Sequence, residues 1–595
     1  MCGIVGGVDK NISEEIVASM VQTLHHRGPD GVGIMSADEQ CVFGHARLAI
    51  MDLSENGKQP MLSHNGLVMA VVNGEIYNYQ AIQKELMDEG IVFYSNSDSE
   101  VLANGYQVWG VKIIEKLNGI FALALYDSVF KKLILARDRC GVKPLYYFAD
   151  DKMIAFASEL KALRMHPLIP LRLDEQSMWE YLAHRYIPAP KTIYCNVKKL
   201  LPAHYLEYRM GKKANIKCYW EPSVNEEDSD NEETLKAILS TTLHKAVHSQ
   251  LMSDVPVGVL LSGGIDSSAI TAIAASLNPN LKAFCCGFEE EAYDERPYAR
   301  LSASCAHVEL HESVMTWEKL FSYLPEYIDW FDEPFFNYSA VAIHELCLMA
   351  KEQGIKVVLT GEGADEMFAG YGWYDALADA TLDTKTDFLE RFFLYKGFLT
   401  KTLMEKLKGE TVSINHLALL QSYDTPHLSP VMRGQIIDFH TFLPDDILCR
   451  DDRASMATGV ELRVPFLDSE MLQKCFLWRD MWTHRHKERK YILKQALVGC
   501  VDNAILTSRK KGFGFPLTEW GDKIKAFAKE ILYNGALVHQ GFASSQGMRE
   551  CVEESNAHVA WLLITAELWC RRYLNHEDIH QLCKKYAERV KKSAT

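Results

Sequence analysis

No uninterrupted apolar run in this 595-residue chain approaches the ~20 residues that a membrane-spanning helix needs. The best stretches, such as 560–565, stop within a few residues at Glu567, which excludes an integral membrane protein of the helical kind. The opening residues lack the basic and apolar regions of a secretory signal, so a cytoplasmic location is expected. Basic charge is also short: 63 Lys and Arg against 79 Asp and Glu leave a net charge of −16. That balance disfavours loose binding to nucleic acid or to anionic membranes. The 15 cysteines are odd in number and contain no Cys-x-x-Cys pair, which argues against a disulfide framework and against zinc ligation. Internal repeats and low-complexity tracts are absent as well.

The composition that remains is globular: 48% hydrophobic, 24% charged and 10% aromatic. Two or three domains are expected at this length. The first ~210 residues carry short apolar runs at 67–72, 119–126, 132–136 and 153–157, separated by Gly, Asn and Asp turns. Helical patterns interrupt them at 78–89 and 100–109. An acidic stretch at 226–233 reads as an exposed linker leading into a helix. Beyond Thr234, helical segments alternate with apolar runs at 257–261, 283–287 and 355–360, the pattern of a parallel α/β sheet. Long amphipathic helices are expected from 371 to 420, with further helix at 491–497 and at 550–592.

Cys2 follows the initiator methionine directly. Removal of Met1 would give one residue a thiol and a free α-amine, and an amine with a reference pKa of about 7.7–8.0 can act as base for the thiol. A buried small side chain is the alternative for a cysteine at this position. In the second half, Ser262-Gly263-Gly264-Ile265-Asp266-Ser267-Ser268 follows an apolar strand and opens a helix expected at 268–277. Glycines there let backbone N–H groups cradle an anion, and phosphate suits best. No lysine follows, which excludes a Walker-type loop. A second loop, Gly361-Glu362-Gly363-Ala364-Asp365-Glu366, follows the next strand. Ligands of open α/β sheets sit at the carboxyl ends of strands, so Asp266 and Asp365 should approach one triphosphate with Mg²⁺ between them.

The Ser262–Ser268 string is similar to the phosphate loop of ATP pyrophosphatases. Together with Leu359-Thr-Gly-Glu-Gly-Ala-Asp-Glu-Met-Phe-Ala-Gly-Tyr371, Asp452-Arg-Ala-Ser-Met-Ala457, Glu461-Leu-Arg-Val-Pro-Phe-Leu-Asp468, Lys490-Tyr-Ile-Leu-Lys494 and Arg509-Lys-Lys-Gly-Phe-Gly-Phe-Pro516, it resembles the glutamine-hydrolysing asparagine synthetase family. The resemblance implies an α+β N-terminal-nucleophile glutaminase, an αββα sandwich over 2–215. It would be fused to an α/β ATP-pyrophosphatase synthetase domain over 234–530, with a helical C-terminal extension over 531–595. It implies an ATP site of Leu261, Ser262, Gly263, Gly264, Asp266, Ser267, Ser268, Gly287, Thr360, Gly361 and Glu362, with Mg²⁺ on Asp266 and Asp365. Lys490 would steady the departing pyrophosphate, although spacing alone does not choose it over Lys487 or Lys494. Glu362 would meet the incoming ammonia as a base.

In the first half, the resemblance makes Cys2 the nucleophile and assigns the oxyanion hole to the Asn73 amide and the Gly74 N–H. Arg47 would hold the glutamine α-carboxylate, and Asp98, assisted by Glu75, its α-ammonium. Arg27-Gly-Pro-Asp-Gly31, the segment 136–146 and the segment 156–162 read as structural. The implied substrates are glutamine, aspartate and ATP, and a homodimer is the family-level expectation. Asn337, the stretch at His344 and Cys305-Ala-His-Val-Glu309 depart from the commoner pattern. They leave another acceptor acid, such as a sugar uronate, open beside aspartate, and a non-catalytic glutamine- or nucleotide-binding scaffold stands as the contrasting class.

Overall fold

The structure, a computed structural model, describes residues 2–223, 231–378, 385–396, 399–485, 487–508 and 514–594. Twelve strands of the first half build two antiparallel sheets. The first runs in the order β10-β8-β9-β1-β3-β2, from β1 (Gly3–Val8), β2 (Gly31–Asp38), β3 (Cys41–Arg47), β8 (Tyr146–Ala149), β9 (Ile154–Ala157) and β10 (Val197–Lys199). The second runs β12-β11-β7-β6-β5-β4, from β4 (Met61–Leu62), β5 (Val68–Ile76), β6 (Gly119–Asp127), β7 (Lys132–Arg137), β11 (His204–Tyr208) and β12 (Asn215–Cys218).

Alternation along β5 explains the stacking. Met69 and Val71 join Ile4, Phe43, Leu133 and Phe156 in the core between the sheets. Val68, Ala70 and Val72 point the other way, onto helices α2 (Tyr79–Asp88) and α3 (Glu100–Trp109) through Ile82, Leu86 and Leu102. The outer face of the first sheet carries α1 (Glu14–Gln22), and the core there continues without a break into the second half. The layers are helix, sheet, sheet, helix, as the resemblance implied.

The acidic stretch at 226–230 lies outside the described residues, as do 509–513 of the Arg509–Pro516 string. Asn231 then caps α4 (Glu232–Gln250), accepting from the Glu233 N–H at 3.0 Å, with two glutamates in the first turn. A five-stranded sheet follows, ordered β15-β14-β13-β16-β17 and parallel throughout: β13 (Val257–Leu260), β14 (Lys282–Phe288), β15 (Glu309–Met315), β16 (Val357–Leu359) and β17 (Glu461–Arg463). The chain winds outward from β13 through β14 to β15, then returns to place β16 on the opposite side of β13. The loops after β13 and β16 therefore flank the switch point of the sheet, where ligands bind.

The helix after β13 is α5 (Ile265–Leu277), beginning three residues earlier than the sequence pattern placed it, so Asp266 and Ser267 lie in its first turn. The region 371–420 differs from expectation. Among its described residues the helices are short (Gly372–Ala378, Lys385–Tyr395, Lys401–Lys408 and Ala418–Tyr423), and apolar periodicity alone did not locate the breaks. Near the C-terminus the helix Ala557–Tyr573 is buried over most of its length. Its Trp561 and Trp569 indoles donate to the Phe336 and Asp332 carbonyls, and its Thr565 bonds Tyr181 of the first half. This segment thus packs against both halves of the molecule.

Candidate active sites

Cys2 lies at the entry to β1 and is 7% exposed. Its backbone nitrogen donates to Asn73 Oδ1 at 3.0 Å, and its Sγ lies 3.9 Å from the Leu48 carbonyl. Burial pushes the thiol up from its ordinary value, against the pull of the amino-terminal charge. Asn73 sits near the end of β5, paired across to β6. Its Oδ1 is occupied by Cys2, while its fully buried Nδ2 has no partner among the described residues, leaving a donor on the side chain that faces the nucleophile. Gly74 follows at φ +144°, and a Cβ there would lie 1.9 Å from the Ile120 carbonyl, so only glycine lets β5 keep this path.

Arg47, at the end of β3, donates to the Asp52 carbonyl at 2.5 Å and the Ser54 carbonyl at 3.0 Å, which fix its guanidinium. Asp98 accepts from the Ile76 N–H at 2.8 Å, and burial pushes its carboxyl up to about 6 against that bond. Burial, with Glu461 and Asp98 nearby, also raises Glu75 well above the carboxylate range, opposed by Arg463 at 3.6 Å. Cys2, at the start of β1, thus meets Asn73, Gly74 and Glu75, near the end of β5, where the two sheets face each other. The resemblance did not foresee that Glu75 would face the synthetase strand β17 through Arg463.

The second site is a cavity of about 490 Å³ at the switch point. Leu261, Ser262, Gly263, Gly264, Asp266, Ser267, Thr360, Gly361, Glu362, Asp365 and Lys490 all line it. Two expected residues do not. Ser268 is buried on the far side of α5 and lines a different cavity, because the earlier helix start turns it a further 100° from Ser267. Gly287 stands behind Asp294 and Arg296, whose side-chain atoms lie within 2.5 Å of where its Cβ would be; its neighbour Cys286 lines the cavity instead. Gly264 leads into α5 without a side-chain cap, which leaves first-turn N–H groups for an anion.

Lys490 decides the polarity of this cavity. Its Nζ lies 2.5 Å from Asp266 Oδ2 and 2.7 Å from Asp365 Oδ1. Burial opposes its charge, but the two carboxylates outweigh that and hold the ammonium above the ordinary lysine range. This double pairing singles out Lys490; Lys487 and Lys494 line the same cavity, and Lys494 pairs with Glu488 at 3.0 Å. Gly370 makes the arrangement fit: a Cβ there would come 2.1 Å from Lys490 Cε and 1.9 Å from Asp365 Oδ1. Glu362 pairs with Arg450 Nη2 at 2.6 Å.

The asparagine synthase family model matches residues 239–571 and the glutamine amidotransferase domain model matches residues 1–220. The chain belongs to the asparagine synthase family. It is 29% identical to asparagine synthetase [glutamine-hydrolyzing] 1 of Bacillus subtilis, over 98% of this chain and 99% of that protein. Asparagine synthetase [glutamine-hydrolyzing] 3 of the same organism is 33% identical, with 86% of this chain and 87% of its own length covered. Amidase chry2 of Gibberella zeae is 28% identical over 92% of each chain.

Within this family member, two arginines matter that sequence reasoning did not place in either site. Arg27, read as part of a turn, is fully buried and donates through Nε to the Cys2 carbonyl at 3.0 Å. Its terminal nitrogens hold Asp452 from both sides, at 2.8 and 3.0 Å, and Glu159 at 2.8 Å. Arg450 stands beside Glu362, as described. No spacing rule links Arg27 to a partner 425 residues away.

Among the described residues no three His, Cys, Asp or Glu side chains gather as a ready-made metal site. Asp266 and Asp365, converging on the mouth of a phosphate loop, still fit Mg²⁺, which is commonly held by one or two carboxylates together with substrate phosphates.

Next to them, burial, reinforced by Asp365, pushes the Glu366 carboxyl up to about 8, while its Oε1 accepts from the Tyr371 hydroxyl at 2.6 Å. A carboxyl whose folded pKa lies above the unfolded ~4.3 costs the fold stability as pH rises from there through about 8. The thermal midpoint of Glu366→Gln is expected to gain on that of the wild type steadily from about pH 5 to about pH 8 and to hold a constant lead above that, read by calorimetry. A gap that does not change with pH would disprove a neutral Glu366.

Proposed function

We propose that this chain is a glutamine-dependent asparagine synthetase. The supporting observation is the double pairing of Lys490 with Asp266 and Asp365 at the phosphate loop, in a chain whose other half seats Cys2 on Asn73. In the first site the α-amine exposed when Met1 is removed takes the Cys2 thiol proton, and the thiolate attacks the carboxamide carbon of glutamine. The carbonyl oxygen gains charge, which the Asn73 Nδ2 and Gly74 N–H receive. On collapse the C–N bond breaks as the α-ammonium returns its proton to the leaving nitrogen, which departs as ammonia and leaves the glutamyl thioester; water then frees glutamate and restores the thiol. Arg47 takes the glutamine α-carboxylate, and Asp98 with Glu75 takes the ammonium.

In the second site, the aspartate side-chain carboxylate attacks the α-phosphorus of ATP. Pyrophosphate leaves, and β-aspartyl-AMP forms. Backbone N–H groups of the 262–268 loop hold the phosphates, and Lys490 is aimed at the charge that grows on the leaving group. Mg²⁺ on Asp266 and Asp365 would neutralise the same charge. Ammonia then attacks the acyl carbon with Glu362 accepting its proton, and AMP departs, leaving asparagine. Ammonia in water at neutral pH is mostly protonated, so transfer between sites out of bulk solvent keeps it nucleophilic. Glu75 and Arg463, 3.6 Å apart, are one contact between the two halves.

The test is pyrophosphate release from Mg-ATP and glutamine, with and without aspartate, alongside mass detection of the amide. Aspartate-dependent pyrophosphate, matched one for one by asparagine, is the expected result. Glutamate formation without an aspartate response would overturn the acceptor. It would direct attention to other carboxylates.

A further inference from the structure

The cavity behind α5, into which Ser268 turns, has a volume of about 530 Å³ and takes no part in the chemistry above. It lies between α5 and α6 (Arg296–Ala306), where Ala272, Ala275 and Ala306 leave room, and the segment from Cys500 to Asp502 closes one side. The Ser268 hydroxyl on its wall is buried without a partner among the described residues, whereas buried polar atoms nearly always have one. Only three of the fifteen cysteines are exposed, Cys218, Cys305 and Cys500, and the last two share this cavity. Cys305 opens the stretch that departs from the commoner pattern. It sits in the last turn of α6, ahead of the left-handed cap His307 at φ +54°. Cys500 sits in a turn that its own N–H closes on the Leu497 carbonyl at 2.9 Å.

The charge around the two thiols is one-sided. Cys305 Sγ lies 4.0 Å from Asp502 Oδ2, and no Lys or Arg lines the cavity among the described residues. Both α5 and α6 end there, bringing the partial negative charge of their last carbonyls. Anionic ligands are repelled, and an ammonium is favoured.

We propose that Cys305 and Cys500 form a thiol-exchange site for small disulfides that carry positive charge. The Cys305 thiolate attacks one sulfur of the disulfide, the S–S bond breaks, and the first half leaves and takes up a proton. Burial pushes the Cys500 thiol up, so Cys500 acts second. Its thiolate attacks the Cys305 sulfur of the mixed disulfide and expels the other half, which is protonated in turn. The ligand gains two electrons and becomes two thiols, and the chain is oxidised to a Cys305–Cys500 bridge. That bridge ties α6 to the turn beyond the helix Tyr491–Ala496.

The test treats the full chain, freed of reductant and at low salt, with cystamine, a disulfide bearing an ammonium at each end. Uncharged bis(2-hydroxyethyl) disulfide is run beside it, and products are mapped by peptide mass. Cystamine should give a Cys305–Cys500 cross-linked peptide that dithiothreitol releases. Cys500→Ser should stop at a cysteamine adduct on Cys305. Asp502→Asn keeps the acceptor for the Ala504 N–H and removes the charge. The ratio of the cystamine rate to the uncharged-disulfide rate at Cys305 should then fall by about fivefold, the effect of one unit charge at about 4 Å in water. Comparing the two reagents cancels any change in the thiol itself. The same ratio at Cys218 should not move. Absence of the cross-linked peptide in the wild type, adducts that persist on both cysteines unbridged, or an unchanged ratio at Cys305 in Asp502→Asn would each overturn the proposal.

Discussion

Cys2→Ala is expected to eliminate glutamine-dependent asparagine formation, by at least about 10⁴-fold in kcat/KM, the scale of losing a covalent nucleophile. Ammonium-dependent formation should proceed at close to the wild-type rate. The substitution removes one sulfur and nothing else that the structure uses: the backbone nitrogen still donates to Asn73 Oδ1, and the carbonyl still accepts from Arg27. The void left is about that of a methyl group and costs roughly 1 kcal/mol, too little to unfold the domain or to disturb Asp452 beyond it. The measurement is asparagine by mass, with glutamine or ammonium chloride as the nitrogen source. Loss with both sources would mean that the sites are not separable as proposed. Survival with glutamine would remove Cys2 from the chemistry.

Local features of the fold were legible and distant ones were not. The phosphate loop could be read because its glycines, its aspartate and the strand before it lie within a dozen residues. The sheet pattern after Thr234 was equally local, and β13, β14 and β16 fall where the apolar runs lie. By contrast, β1 was not singled out, since Gly3, Gly6 and Gly7 dilute the alternation that marks a strand. Ser268 was misplaced because the helix already begins at Ile265, so each residue after Ser267 turns about 100° further from the phosphate loop. Arg27 shows the limit most clearly. Its chemistry is set by Asp452 and Glu159, both far away in sequence, and a buried arginine in a turn string looks the same as a solvated one until its partners are placed. Lys490 stood between these cases: its motif was visible, yet only the pairing with Asp266 and Asp365 separates it from its lysine neighbours.

Lys490→Met should therefore have the second large effect, and the opposite pattern. Synthesis from either nitrogen source should fall by about 10²–10³-fold, the usual loss when a fixed charge aimed at a transition state is removed, while glutamate release from glutamine persists. Methionine fills much of the same volume, so the consequence is electrostatic. Asp266 and Asp365 lose the cation that lies within 2.7 Å of each, and removing one partner from a buried ion cluster costs about 3–5 kcal/mol. Part of that loss falls on stability, so thermal midpoints should be recorded beside the rates. Arginine is not expected to rescue: Gly370 already lies so close that even a methyl group would clash with Lys490 Cε, and a planar guanidinium needs more room than an ammonium. The decisive readout is pyrophosphate release with aspartate and ATP alone, before any nitrogen transfer. If it survives in Lys490→Met while asparagine formation fails, Lys490 acts after adenylation, and the charge on the leaving pyrophosphate must be met elsewhere in the cavity.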